Sequence, residues 1–172
     1  MKLITHLVTG ACVGTILSAV FRSPPHTMVY LTGLGVFINY VIDLGHAHGR
    51  FGPKRSAFTH SALGVLIISV MSTVAIHSLG IYLRVTIAQT YLTLMTLIAS
   101  GLVHLLLDSL TEGGIYFLWP FKKRRYALAH IDYDDPIANS LAIIAFTLPT
   151  LYLLYMYRGV IGEWLVRLGL FR

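Results

Sequence analysis

Charged residues are scarce in this chain. Lysine, arginine, aspartate and glutamate together make up 12% of its 172 residues, which is about half their share in a soluble domain. Hydrophobic residues make up 56%, and the mean hydropathy is +0.73. This composition excludes an ordinary soluble domain and predicts a helical integral membrane protein.

Cysteine is nearly absent, since the chain has only Cys12, which lies inside an apolar run. A single cysteine excludes an internal disulfide and any metal site built on a Cys-x-x-Cys pair. We therefore interpret Cys12 as a small packing residue.

Acidic residues are also few. Seven aspartates and glutamates stand against thirteen lysines and arginines, which gives a net charge of +6. In a soluble protein this excess could indicate nucleic-acid binding, but no recognition motif accompanies it. Membrane proteins place lysine and arginine in cytoplasmic loops and against anionic head groups. We therefore expect membrane lipid and its anionic head groups as partners, and no nucleic acid.

Apolar runs long enough to cross a membrane divide the chain, since a spanning helix needs about 20 residues. The runs cover approximately 3–21, 28–44, 57–79, 85–107 and 137–157. Ser56 is a candidate N-cap for the third run, and Asp135 followed by Pro136 is one for the fifth. The pattern predicts one all-α domain, 1–172, with about five transmembrane helices in a single bundle. An amphipathic C-terminal tail, 158–172, is expected to lie on the membrane surface.

Basic residues are unevenly divided between the two ends of these spans, eight against five. The first group is Lys2, Arg50, Lys54, Arg55 and Lys122 to Arg125, and the second is Arg22, Arg84, Arg158, Arg167 and Arg172. The positive-inside rule puts the first group and the N-terminus in the cytoplasm, so we expect a multi-pass protein of the cytoplasmic (inner) membrane. We interpret the first run as a span and not as a cleaved signal peptide, because no clear small-x-small cleavage site follows it.

Six potential metal ligands fall at helix ends on this cytoplasmic side. They are His6, Asp43, His46, His60, His104 and Asp108. Ionisable residues in or beside membrane spans are costly, and they are functional candidates by default. Asp43 and His46 are three residues apart and His104 and Asp108 four, so each pair shares a helix face, as metal ligands do in helical bundles. The set predicts one or two divalent ions, zinc first, with manganese, iron or nickel as alternatives.

Each ligand candidate also has a plainer interpretation. His6 could be a histidine at the membrane interface, Asp43 could pair with Arg50 or Arg55, and Asp108 could pair with the basic run Lys122 to Arg125. His104 is the hardest to explain in this way. It lies in an apolar run, where an unpartnered polar group is costly.

Three residues beside His60 are candidate catalytic residues. Arg55 precedes Thr59, His60 and Ser61 by one helical turn. A guanidinium next to a metal can hold a phosphate, although Arg55 could also serve only as a topology signal. Thr59 and Ser61 either bond to backbone at the start of a helix or orient His60.

These residues resemble the pattern of a known family. The elements are Arg55-Ser-Ala-Phe-Thr59-His60-Ser61, His104-Leu-Leu-Leu-Asp108-Ser-Leu-Thr111-Glu-Gly113 and Trp119-Pro120-Phe121. They are similar to the LexA-regulated, membrane-bound, predicted metal-dependent hydrolase family, and more closely to a related archaeal membrane-protein family of unknown function. Family members carry an early histidine, which His6 matches, and an acidic motif after the second span, commonly Asp-x-Asp-His. Around Asp43 and His46 one aspartate of that motif is absent and the histidine is displaced.

The resemblance implies a metal-dependent hydrolase of the inner membrane with a distant relation to zinc-dependent phospholipase C. We therefore predict a hydrolase that acts on a phospholipid or a lipid-linked phosphoester. This substrate would enter the site from the inner leaflet. A metal transporter remains an alternative, although transporters usually need polar groups at the midplane and on both faces. A non-catalytic scaffold is another, in which the metal only clips the helices together.

Overall fold

The computed structural model describes residues 1–44, 47–49, 52–83 and 87–170. Five helices make up almost all of its regular structure: α1 Leu3–Val20, α2 Pro25–Asp43, α3 Ala62–Leu83, α4 Ile87–Ser109 and α5 Pro136–Arg167. Two strands of three residues, β1 Ala47–Gly49 and β2 Gly52–Lys54, pair antiparallel between α2 and α3. The predicted helical bundle is confirmed, and the hairpin is a small addition to it.

Four of the helices are long and apolar enough to cross a membrane, namely α1, α3, α4 and α5. The remaining helix, α2, has a similar length of 19 residues. It is less apolar because it includes His26, Asn39 and Asp43. One face of α2 packs against α1 and α4, with Leu31 and Ile38 fully buried, whereas Val29 and Phe37 on its outer face are exposed. Neighbouring helices therefore shield much of α2 from lipid, and α2 is less apolar than the other four helices.

The third helix begins later than predicted. Residues 57–60 form a turn, and α3 starts at Ala62. The Ser61 hydroxyl accepts a hydrogen bond from the Gly64 amide at 3.0 Å, as an N-cap does. The prediction that Ser56 caps this helix is therefore wrong. The cap lies five residues further on, because 57–61 turn back over the end of the bundle.

The last helix extends further than predicted. Asp135 caps it as expected, since its carboxylate accepts a hydrogen bond from the Ala138 amide at 2.7 Å. The helix then continues through Pro149 to Arg167, over 32 residues. At 1.5 Å per residue it is about 48 Å long, well beyond the roughly 30 Å of hydrocarbon in a bilayer. The C-terminal segment as far as Arg167 thus continues α5 without a break.

Glycines bring α1 and α2 into close contact. A Cβ built on Gly10 would overlap the carbonyl of Gly35, and one built on Gly14 would overlap the carbonyl of Leu31. Residues four apart lie on one helix face, so Gly10 and Gly14 form one contact surface. The backbones touch there, as small residues allow in membrane helices.

One end of the bundle contains the start of α1 and the ends of α2 and α4. The residues that precede α3 lie at the same end. The Lys2 amide donates to the Asn139 side chain on α5 at 3.0 Å, which places the start of α5 at this end as well. The segment after α4 closes over it, because the Tyr116 amide donates to the His60 carbonyl at 2.9 Å. The outer faces of the helices carry exposed apolar side chains such as Met71 and Leu148, and such a surface suits contact with membrane lipid.

Candidate metal centre

Five of the six predicted ligands meet at this end of the bundle. His6 lies near the start of α1, Asp43 is the last residue of α2, His60 precedes α3, and His104 and Asp108 lie in the last turns of α4. Their potential ligand atoms form two groups that share His104, each with all atoms within 4.8 Å of one another. The groups are His6, Asp43 and His104, and His60, His104 and Asp108. His46 lies outside the described residues.

Four of these side chains form a ring in which imidazole nitrogens alternate with carboxylate oxygens. His60 Nε2 lies 3.8 Å from Asp43 Oδ1 and 3.4 Å from Asp108 Oδ2. His104 Nε2 lies 3.5 Å from Asp43 Oδ1 and 3.6 Å from Asp108 Oδ2. These separations exceed ordinary hydrogen-bond lengths. They are close to the roughly 3.3–3.5 Å between ligand atoms that surround a tetrahedral zinc ion at 2.0–2.2 Å.

The ring is buried and leaves polar atoms without hydrogen bonds. His60, His104 and Asp108 are fully buried, and the Asp43 side chain is 9% exposed. Within the described part of the chain, no hydrogen bond reaches His104 Nε2 or Asp108 Oδ2. Buried polar atoms of this kind are rare in folded proteins and call for an explanation such as an ion. The cluster could therefore hold a metal ion, and its imidazoles and carboxylates suit a borderline divalent cation.

Both ring imidazoles are held through their other nitrogen. His104 Nδ1 lies 3.0 Å from Asn39 Oδ1, and the Asn39 amide group donates to the Gly35 carbonyl at 2.7 Å. Asn39 therefore presents its oxygen as an acceptor, His104 Nδ1 carries the proton, and Nε2 keeps its lone pair for the ring. His60 Nδ1 lies 2.9 Å from Thr59 Oγ1. Such partners fix the orientation of metal-binding histidines.

The two oxygens of Asp108 have different surroundings. The Arg55 guanidinium donates to Oδ1 at 2.7 Å, His6 Nε2 lies 3.0 Å from the same oxygen, and the Met1 amino group contacts it too. Oδ2 instead faces His60 and His104. Cationic and donor groups thus occupy one oxygen and leave the other turned into the ring.

Arg55 is largely occupied by protein acceptors. Besides Asp108 it donates to Thr111 Oγ1 at 3.0 Å and to the Gly114 carbonyl at 2.7 Å, and its side chain is 7% exposed. The guanidinium therefore positions the carboxylate of Asp108. This ion pair, and not one with the basic run 122–125, is the partner that the structure gives Asp108.

Ser61 and Thr59, the other candidate catalytic residues, differ in what they contact. The Ser61 hydroxyl donates to the Phe58 carbonyl at 2.8 Å and caps α3, so it serves the backbone. Thr59 contacts the imidazole of His60, as expected for a residue that orients this histidine. His6 stacks on His104, with ring centroids 3.8 Å apart, and so lies beside the ring formed by the other four residues.

The charge around His60 favours a cation. His60 lies ahead of the spanning segment of α3. Burial by itself would lower its pKa, but the carboxylates of Asp108 and Asp43 outweigh burial and raise the pKa above its ordinary value. The same two carboxylates would stabilise a metal ion in this position.

Sequence reasoning missed Asn39 and Thr111 as parts of this centre. Thr111 is in the quoted motif, but nothing in the sequence says that its hydroxyl accepts from Arg55. Asn39 precedes Asp43 by four residues, so the two lie on one face of α2. This spacing, together with an amide side chain inside an apolar run, could have identified Asn39 from the sequence.

A family model described as the YdjM inner membrane protein matches residues 1–171. The chain belongs to the YdjM inner membrane protein family. No curated protein and no solved structure gives a significant match. Membership of the YdjM family supports the membrane location implied by the apolar helices. The family name gives a location and no reaction.

Proposed function

We propose that this protein is a membrane-embedded, metal-dependent hydrolase that acts on a phospholipid or a lipid-linked phosphoester. The observation that carries the proposal is the buried ring of alternating imidazole and carboxylate atoms, at 3.4 to 3.8 Å. Zinc is the first candidate for the ion, with manganese, iron or nickel as alternatives. His6 and His46 are the remaining ligand candidates if a second ion binds.

We assign the ion to His60, His104 and Asp108, which form one of the two compact groups. Catalytic zinc sites use three protein ligands and keep one position open, whereas structural sites are closed by four. When bound, the ion would lower the pKa of a water molecule to about 7 and so supply hydroxide. Asp43, at the more exposed edge of the ring, is the residue placed to accept the proton of that water.

The other residues of the centre hold this geometry. Arg55 and His6 keep Asp108 Oδ1 occupied so that Oδ2 faces the ion. Asn39 and Thr59 keep the two imidazoles turned to present Nε2. The bundle end excludes bulk water from His104 and Asp108, which strengthens electrostatic interactions inside the site.

Metal content tests the ligand assignment. We expect about one ion per chain in the purified wild type, and loss of that ion in His104→Gln and in His60→Ala. His77→Ala is the matched control, because its imidazole bonds Thr90 away from the cluster and the ion should remain. Thermal unfolding in detergent checks that each variant is folded. A wild type with substoichiometric metal, unchanged in both ligand variants, would defeat the proposal.

The Asp43→Asn variant distinguishes a catalytic metal ion from one that only holds the helices together. If Asp43 is the general base, Asp43→Asn keeps the metal and loses hydrolysis of phospholipid in vesicles. If Asp43 is instead a fourth ligand of a closed shell, the same variant releases the metal. Retained metal with lost hydrolysis supports the enzyme, and released metal without any hydrolysis in the wild type supports the scaffold.

One observation favours metal transport as a second candidate. Hydroxyl side chains are buried along the inner face of α4 at Thr93, Thr96 and Ser100, leading toward His104. Transport pathways are lined by polar groups near the membrane midplane. A flux assay in proteoliposomes decides between them. Saturable metal entry that is lost in Ser100→Leu would favour transport, and its absence beside measurable hydrolysis would favour the enzyme.

We also propose that the cluster faces the cytoplasm. The exposed Lys2 and the basic run 122–125 lie at the same end as the centre, and the positive-inside rule places such an end inside the cell. Arg50, Arg84 and Arg172, which were counted in the sequence, lie outside the described residues.

A further inference from the structure

An apolar groove runs beside the metal centre. It has a volume of about 370 Å³ and lies between α4 and the segment that follows it. One wall is formed by Leu102, Leu105 and Leu106 of α4, and the other by Ile115, Phe117 and Tyr126. Its size is within the range of small-molecule sites, and its lining offers almost nothing polar.

The outer wall of the groove is held in place by backbone hydrogen bonds. Ile115 and Tyr126 exchange two of them, at 2.9 and 2.8 Å, and the Leu128 amide donates to the Ser109 carbonyl. The same wall is bonded to the centre, since the Tyr116 amide donates to the His60 carbonyl. Backbone hydrogen bonds thus fix the shape of the groove, which adjoins the metal centre.

Four basic residues, Lys122 to Arg125, lie in the sequence between Phe117 and Tyr126, which both line the groove. The run Lys122 to Arg125 is exposed throughout, and the Arg124 guanidinium lies 6.0 Å from the centre of the Tyr126 ring. Positive charges just outside a spanning helix attract the anionic head groups of a membrane. Leu102 and Leu106 are exposed on the spanning part of α4, so the groove opens toward acyl chains.

We propose that this groove binds an acyl chain of an anionic phospholipid whose phosphate is held by Lys122 to Arg125. Apolar walls at the depth of the acyl chains and cations at the depth of the head groups match the two halves of such a lipid. The inference rests on the proposed function only in naming the lipid class that the hydrolase would receive. Binding itself needs no hydrolysis and can be measured separately.

Photo-crosslinking in vesicles tests the site. The full chain is reconstituted with phosphatidylglycerol carrying a diazirine in its acyl chain, and with a matched phosphatidylcholine probe. We expect crosslinks to concentrate on the groove residues of α4 and the segment 115–128, at least about tenfold more with the anionic probe. Crosslinks spread evenly over the lipid-facing helices, or equal labelling by both probes, would overturn the proposal.

Two variants separate the two halves of the site. Leu106→Trp fills the groove and should abolish the concentrated labelling, whereas Leu148→Trp, on the equally exposed outer face of α5, should not. Replacing Lys122 to Arg125 by glutamine should remove the preference for the anionic probe, whereas Arg158→Gln at the other end of α5 should keep it. Failure of either contrast counts against the site.

The outcome is distinguishable from failure of the hydrolase. Asp43→Asn should keep the lipid crosslinks whatever happens to catalysis. Concentrated crosslinks in a protein without metal or hydrolysis would support the groove and defeat the enzyme. Hydrolysis together with diffuse crosslinks would support the enzyme and defeat the groove.

Discussion

Asn39 joins the interior of the bundle to the candidate metal centre. Its amide group donates to the Gly35 carbonyl and its oxygen lies 3.0 Å from His104 Nδ1. We predict that Asn39→Leu, which keeps the volume and removes the acceptor, weakens metal binding by about 10- to 100-fold. Competition with a metal-sensitive chelator measures the affinity.

Asn39→Asp is the control for this change. It retains an oxygen acceptor for His104 Nδ1 and should bind the metal far better than Asn39→Leu. Equal affinity of Asn39→Leu and the wild type would show that this hydrogen bond does not orient the ligand.

Substitution of Arg55 tests whether this residue positions Asp108 or binds a phosphate. Its side chain is only 7% exposed, and its guanidinium donates to Asp108, Thr111 and Gly114. Removing one partner of a buried ion pair costs about 3–5 kcal/mol, so Arg55→Gln should lower the free energy of unfolding by that order. Denaturation in detergent measures the change, and Arg22→Gln, at an exposed position, should have little effect. Unchanged stability with a raised KM would instead indicate a clamp.

At the scale of the helices, the contact between α1 and α2 depends on glycine. A Cβ on Gly35 would overlap the Gly10 carbonyl, whereas one on Gly33 would meet nothing within 4 Å. We predict that Gly35→Ala destabilises the protein by at least about 1–3 kcal/mol, because the helices must separate. Gly33→Ala should be neutral or slightly stabilising, since alanine favours a helix over glycine.

Thermal unfolding of the two glycine variants in one detergent gives the comparison. Equal unfolding temperatures would mean that α1 and α2 can move apart without loss. The four-residue interval between Gly10 and Gly14 in the sequence places both on one helix face, which is typical of close packing between membrane helices. The interval does not identify the partner residue, which is Gly35.

Helix number was predictable from sequence because the thickness of the bilayer sets the length of an apolar run. Helix ends were less predictable. Ala57 and Phe58 are apolar and extend the third run, yet they belong to a turn whose carbonyl at Phe58 accepts from Ser61. Arg158 suggested an end to the fifth run, but helix formation tolerates an exposed arginine, and α5 continues.

At the scale of the whole molecule, counting alternate helix ends placed the candidate ligands on one side. Antiparallel neighbours return to the same side at every second end, so the convergence followed from topology. The role of each side chain did not follow, because it depends on contacts between helices. Arg55 and Ser61 show this, since one bonds Asp108 and the other caps α3.

Orientation in the membrane can be tested with single cysteines. In a Cys12→Ala background, we predict that Lys123→Cys is protected from a membrane-impermeable maleimide in intact cells and is labelled after lysis. Glu163→Cys, near the far end of α5, should be labelled in intact cells. Both positions are exposed. The reverse pattern would place the centre on the outer side.

The residues of the centre are far apart along the chain, from His6 to Asp108, and Arg55 also bonds the Gly114 carbonyl. Ribosomes make the chain from its N-terminus, so a nascent protein has all of these groups only once Gly114 has been added. The ion that we propose can therefore bind the complete centre only after the fourth helix has been made. Until then the imidazoles and carboxylates are accessible to water and to competing ions, and metal supply during biogenesis would decide how much protein becomes mature.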